Sequence, residues 1–349
     1  MTEPTPVDSH LLPDTPDRSK KKSEASTNID DLIEQMKLSL DKLQADHSSR
    51  GDVKILSRAL RELRYAFKVF RPYRNRRKVA IFGSARTLPA AATFQQTVEF
   101  AKGMAEKEWM VVTGAASGIM EAGHVGAGRE LSMGLNIMLP FEQSSNSVIA
   151  GDAKLVNMKY FFTRKLMFVK ESHALCCLPG GFGTLDEGLE VLTLLQTGKR
   201  DMVPVVFLDA PGGTYWKDWD AFVRRHLLDG RMISPPDLSL YLVTDNVAQA
   251  QQEILQFYRV YHSMRYVHDK LVLRLEQPIS DELLEGINQH FSDILASGQF
   301  RQTSSLTGER DEPELSHLSR LVFHFDRHGL GRLRQLINCL NSGKIVAEK

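Results

Sequence analysis

The stretch Pro179-Gly180-Gly181-Phe182-Gly183-Thr184-Leu185-Asp186-Glu187 has the residue types and spacing for chemistry. It follows the apolar run Ala174-Leu175-Cys176-Cys177-Leu178 and opens a helical pattern that reaches Gln196. Strand, glycine turn and helix start together suit a phosphate. Glycines let backbone N–H groups approach an anion closely, and a helix N-terminus adds unpaired donors and a positive dipole end. Gly180, Gly181, Gly183 and the Thr184 hydroxyl are therefore read as a phosphate cradle. Glu187 lies three residues beyond Thr184 and shares its helix face. A carboxylate beside a phosphate is electrostatically awkward unless it serves another part of the ligand. That makes Glu187 the catalytic candidate. The bland alternative is an acid that suits the helix dipole. Asp186 points about 100° away.

Arg164 and Lys165 open the preceding helix, where positive charge opposes the dipole. Either cation can bind a phosphate or polarise a leaving group, the plain alternative being two solvated charges. Two more glycine turns follow apolar runs, Gly83-Ser84-Ala85-Arg86 and Gly114-Ala115-Ala116-Ser117-Gly118. In a doubly wound sheet such turns gather at the carboxyl edge of the strands, so Ser84 and Gly114 are candidate substrate contacts. Neither turn completes a G-x-G-x-x-G fingerprint, which disfavours a nicotinamide dinucleotide. No metal, no cofactor and no acyl-enzyme chemistry is expected, and His124 and His173 read as structural.

The elements that must position these residues alternate from Lys78 onward. Short apolar strands are expected at Val79–Phe82, Met110–Val112, Leu135–Pro140, Leu155–Asn157, Ala174–Leu178 (the central one), Val203–Leu208 and Leu240–Val243. Helices are expected between them, the last running from Val247 to about Tyr261. Continuously apolar strands alternating with helices imply a parallel sheet covered on both faces, hence an α/β, Rossmann-like doubly wound fold. Ahead of it, stripes on Ile29–Leu43 and Val53–Phe70 predict two helices, a helical extension over 29–77. Residues 1–28 are polar and read as disordered. The catalytic domain is placed at 78–262. Beyond it, 268–343 read as a small βαββα module of ferredoxin-like or ACT-like type, built on a split βαβ unit and able to be removed without unfolding the rest.

Between Arg58 and Lys78 there are nine Lys or Arg residues against one acid, Glu62. This reads as a solvated helix face balanced elsewhere, the alternative being a patch for phosphate-rich partners. The 349 residues as a whole carry 44 Lys plus Arg against 43 Asp plus Glu, so bulk charge does not favour nucleic-acid or membrane partners. No apolar run approaches the roughly 20 residues of a membrane span. The three Cys are too few, and two too closely adjacent, for a disulfide scaffold. A cytoplasmic location is expected.

These motifs resemble the Lonely Guy (LOG) family, cytokinin riboside 5′-monophosphate phosphoribohydrolases long mislabelled as possible lysine decarboxylases. Pro179 to Thr184 with Glu187 matches the family's P-G-G-x-G-T-x-x-E, and Arg164-Lys165 its upstream Arg-Lys pair. The resemblance covers roughly residues 78 to 260. It implies hydrolysis of the N-glycosidic bond of a nucleoside 5′-monophosphate, of AMP or cytokinin type, without a cofactor. It also implies phosphate held at Gly180 to Thr184, Glu187 facing the ribose, Arg164 assisting, and a homodimer or a multiple of one. A nucleotide-binding or carrier protein on the same scaffold is the alternative. One departure stands out: the family's T-G-G-G turn is here Thr113-Gly114-Ala115-Ala116, with two added methyl groups.

Overall fold

The computed structural model describes residues 29–139 and 144–345. The expectation of disorder for residues 1–28 lies outside them. Two helices lead in, α1 (Asp30–Ala45) and α2 (Arg50–Phe70). Ser49 caps α2, its Oγ accepting from the Asp52 amide at 3.2 Å while the Asp52 carboxylate accepts from the Ser49 amide. The expected alternation follows: β1 (Lys78–Phe82), α3 (Ala92–Ala105), β2 (Met110–Thr113), α4 (Ile119–Leu131), β3 (Ser132–Ile137), β4 (Leu155–Met158), α5 (Phe161–Glu171), β5 (Ala174–Cys177), α6 (Phe182–Gln196), β6 (Val205–Leu208), α7 (Tyr215–Phe222), β7 (Leu242–Thr244) and α8 (Val247–Phe257).

The seven strands form one parallel sheet in the order β4-β3-β2-β1-β5-β6-β7. This is the Rossmann-like doubly wound arrangement expected. The central strand is β1, with β5 beside it. Alternate residues serve opposite faces. Ala80, Phe82, Val112, Leu175 and Phe207 join one buried cluster; Val79, Ile81, Val111, Cys176 and Val206 join the other. From β1 the chain winds outward through β2, β3 and β4, then returns to β5 and winds the other way. The loops after β1 and β5 therefore diverge. A crevice is left at their carboxyl ends, the switch point where such sheets bind ligands.

A second sheet, antiparallel between neighbours, comprises β8 (Tyr261–Val267), β9 (Lys270–Leu275), β10 (Leu295–Thr303) and β11 (Ser319–Phe325), with α9 (Asp281–His290) and α10 (Leu330–Ser342). Its order is β10-β11-β9-β8. β11 lies between β9 and β10 and runs antiparallel to both, so β9, α9 and β10 form a split βαβ connection. The strand β8 was not expected: the sequence reading carried the preceding helix to about Tyr261, but α8 ends at Phe257. Nor is this unit set apart from the main core. Leu333, Leu336 and Ile337 of α10 share a buried cluster with Leu195, Val203 and Phe257. The Asn341 side chain accepts from the Val260 and Tyr261 amides and donates to the Phe257 carbonyl.

The basic run between Arg58 and Lys78 is not one surface. Lys78 is buried, its Nζ donating to the Arg76 carbonyl at 3.1 Å and lying 3.7 Å from Glu171. Arg77 stacks on the Tyr258 ring, 3.6 Å from its centroid. No helix among the described residues is long and apolar enough to cross a membrane.

Candidate functional site

The crevice at the switch point is a cleft of about 670 Å³, lined among others by Ser84, Gly114, Arg164, Gly181, Gly183, Thr184 and Glu187. The turns after β1 and β5 are tied together by the Ser84 amide, which donates to the Pro179 carbonyl at 3.2 Å. Gly118 makes a third close approach. Its φ is +66°, and a β-carbon there would meet the Ser84 carbonyl oxygen at 2.4 Å.

Helix α6 begins at Phe182, with Gly181 as its N-cap. Gly183 and Thr184 therefore belong to its first turn; the Thr184 amide donates to the Gly181 carbonyl at 3.0 Å, which leaves the Gly183 amide open at the helix start. A β-carbon on Gly181 or Gly183 would meet nothing within 4 Å, so both present bare backbone to open space. Gly180 does not line the cleft. Its missing side chain makes room for Thr184 Oγ1, which would lie 2.2 Å from a β-carbon there, and its carbonyl accepts from Tyr215 Oη at 2.7 Å.

Glu187 is 6% exposed and makes no hydrogen bond among the described residues. Burial pushes its carboxyl up to about 7, against the pull of Arg164 and Lys165. Arg164 is partly buried on the facing wall. Its Nε donates to the Leu135 carbonyl at 2.8 Å, and its guanidinium lies 5.2 Å from the Phe168 ring centroid. No carboxylate of the described residues comes within ion-pair distance of it. Burial lowers its pKa, and Glu187 partly restores it.

Lys165 departs from expectation. It does not line the cleft; its Nζ pairs with Asp186, which does, at 2.7 Å and with Glu190 at 3.7 Å, bracing α5 against α6. The reason is direction: the residue after Arg164 points about 100° around the helix.

The turn after β2 carries the two extra methyl groups. Ala115 sits at φ +61°, a conformation that costs a side chain about 1–2 kcal/mol. It is held there by bonding, since its amide donates to Thr113 Oγ1 at 3.0 Å and its carbonyl accepts from the Asn146 amide at 2.8 Å. Buried His124 braces the same turn through Thr113 Oγ1, the Met133 carbonyl and the Asn146 amide group. Burial holds its pKa down, which fits a structural, neutral imidazole.

Lining residues not singled out from the sequence include exposed Arg86, Asn136 on β3, Phe182, 91% exposed, and the apolar Met120, Leu139 and Phe161. Arg86 lies within a turn already singled out, so its charge was the available signal. Asn136 gave none, being one polar residue in an apolar strand.

This sheet defines a Rossmann-like α/β protein with a cleft, the candidate site, at the switch point. The family profile described as "Possible lysine decarboxylase" matches residues 112–254. "Probable cytokinin riboside 5'-monophosphate phosphoribohydrolase LOGL5" of Oryza sativa subsp. japonica is 30% identical over 165 residues, 46% of this chain and 64% of that protein. "Cytokinin riboside 5'-monophosphate phosphoribohydrolase LOG3" of Arabidopsis thaliana is 32% identical over 130 residues, 36% of this chain and 57% of that one. The chain thus spans less than two thirds of either relative. The resemblance to the LOG family is shown by these sequence matches. Among solved structures, the molybdenum cofactor carrier protein of Chlamydomonas reinhardtii aligns over 52% of this chain and 98% of its own, at 21% identity and a TM-score of 0.37.

Proposed function

We propose that the protein hydrolyses the N-glycosidic bond of nucleoside 5′-monophosphates, releasing free base and ribose 5-phosphate. The observation that carries the reading is Glu187, a buried carboxylate without a hydrogen bond among the described residues, one helical turn beyond Gly183, which with Gly181 faces open space. The phosphate sits on their amides and the Thr184 hydroxyl, with the ribose towards Glu187. Ser84 and Gly114 bound the remainder of the ligand. As the C1′–N bond breaks, its electron pair leaves with the base, which takes up a proton from solvent, and positive charge grows on the sugar. Ionised Glu187 stabilises that charge and orients the water that forms the C1′–O bond. A carboxyl near 7 is matched to take the water's proton close to neutral pH. Arg164 keeps Glu187 partly ionised and turns its free N–H groups to ligand oxygens. Lys165 is left out of this scheme.

Exposed Phe161 and Phe182 line the cleft, and they support self-association there. A homodimer or a multiple of it is the expected mass by light scattering at micromolar protein. The activity is tested by incubating the protein with a panel of nucleoside monophosphates and separating the products by liquid chromatography. Free base and ribose 5-phosphate in equal amounts are expected. Tight binding with no base released from any monophosphate would leave a binding or carrier protein in its place.

A further inference from the structure

A second cavity, of about 380 Å³, opens at the other end of the parallel strands, between the two sheets. Arg77 enters it just before β1, His173 just before β5, Arg200 ahead of β6, and His262 from β8. Its lining carries Arg77, Lys170, Lys199 and Arg200 against a single acid, Asp201. Neither Arg77, Lys199 nor Arg200 has a carboxylate within ion-pair distance among the described residues. Arg77 is held flat on Tyr258, and Arg200 donates to the Ser172 carbonyl. Partly buried guanidinium groups without counter-charges are costly unless something anionic joins them.

A second, independent sign is Ser172. It is 4% exposed and lines the cavity, yet its buried Oγ has no hydrogen-bond partner among the described residues. Such orphans are rare in folded proteins. His173 reports the local field as well. Burial, then Lys78, Arg77, Arg200 and His262, press its pKa down to about 3. It is therefore a neutral ring whose Nδ1 accepts from the Lys78 amide at 3.2 Å.

We propose that this cavity is a second anion site that takes a phosphoryl group, with Arg77 and Arg200 as donors and the Ser172 hydroxyl completing the shell. Arginine forks match phosphate oxygens bidentately, and a hydroxyl supplies the remaining donor. The volume exceeds that of a bare phosphate ion, so a small phosphate monoester also fits. The site is distinct from the cleft by one strand length, roughly 15 Å. It joins the first sheet to the second, since Arg77, Ser172 and Arg200 lie on segments that lead into strands of one and His262 lies on β8 of the other.

The test uses the full chain with its cleft blocked. In Gly181→Asp the new carboxylate stands in open space and repels phosphate from the cradle. Calorimetric titration with inorganic phosphate, and separately with ribose 5-phosphate, should still show about one ligand bound per chain. Adding Arg200→Gln should weaken that binding at least tenfold, as should Lys199→Glu, an exposed charge reversal with little risk to folding. Tighter binding of one probe tells whether the cavity takes the free ion or an ester. No binding by Gly181→Asp, or binding indifferent to both Arg200→Gln and Lys199→Glu, overturns the proposal. Neither result touches the cleft reading, which is scored on base release by the wild type.

Discussion

Arg164 occupies the space that a side chain on residue 114 would need. A β-carbon on Gly114 would lie 2.4 Å from Arg164 Nη2 and 2.7 Å from Met120 Sδ. The guanidinium cannot simply retreat, because its Nε is anchored to the Leu135 carbonyl. Gly114→Ala should therefore displace Arg164 and lower turnover by about 10²-fold, the scale of a small misplacement in an active site. Arg164→Ala should lose a similar amount, and the double variant should be little worse than either single one. Fully additive losses in kcat would cut the link between the two residues.

Glu187→Gln keeps the shape and removes the charge. Turnover should fall by about 10²-fold or more, while monophosphate binding persists. Stability should move the other way. The folded carboxyl titrates near 7 rather than at its unfolded 4.5, so the stability tied to its proton is complete below the unfolded value and lost as pH rises through about 7. The variant should melt higher than wild type at about pH 8, with the gap closing towards about pH 5. A gap independent of pH would argue against the raised pKa.

Glu62 on α2 is buried and binds the start of α5, accepting from the Lys159 amide and Thr163 Oγ1, both at 2.8 Å, and from Arg58. Burial alone would raise its pKa; the hydrogen bonds of Arg58, Lys159 and Thr163 hold it below the usual value. Its stabilisation is thus present above the unfolded pKa and lost as pH falls through the folded one. Glu62→Gln should cost about 1–3 kcal/mol in urea unfolding at neutral pH, and less in acid. Because Thr163 precedes Arg164, turnover should fall as well. Unchanged stability would show the tie to be idle.

The cradle offers backbone amides to an anion, so AMP should raise the melting temperature clearly more than adenosine does. Equal shifts from the two would remove the phosphate from the account.

Removing residues from Tyr261 onward should yield insoluble protein. The deletion strips α10 from Leu195, Val203 and Phe257 and leaves the Val260 amide without Asn341. A soluble, phosphate-binding truncation would restore the view of the tail as an independent module.

Periodicity and turn chemistry are local, and so much of the fold was legible in the sequence. Apolar strands alternating with helices implied a covered parallel sheet, and Pro179 to Glu187 held the glycine turn and the candidate carboxylate in one segment. The split βαβ connection was likewise readable from order alone. Strand β8 was not: its buried residues, Tyr261, Met264 and Val267, recur every third position, a spacing closer to helix than to strand. A register irregularity between Tyr261 and Ser263 breaks the alternation that would have marked it.

Tertiary structure decided what distance along the chain conceals. Arg164 and Lys165 are neighbours of equal charge, yet packing of α5 sends one into the cleft and the other to Asp186. Arg77 and Lys78 look like surface cations in a basic run, yet one lies flat on Tyr258 and the other is buried beside Glu171. The cavity of Arg77, Ser172 and Arg200 joins residues more than a hundred positions apart. Hydrophobic periodicity sets which face of an element is buried, because that follows from 3.6 or 2 residues per repeat. Which charges then meet, and which stay unpaired, depends on how separate elements close on each other.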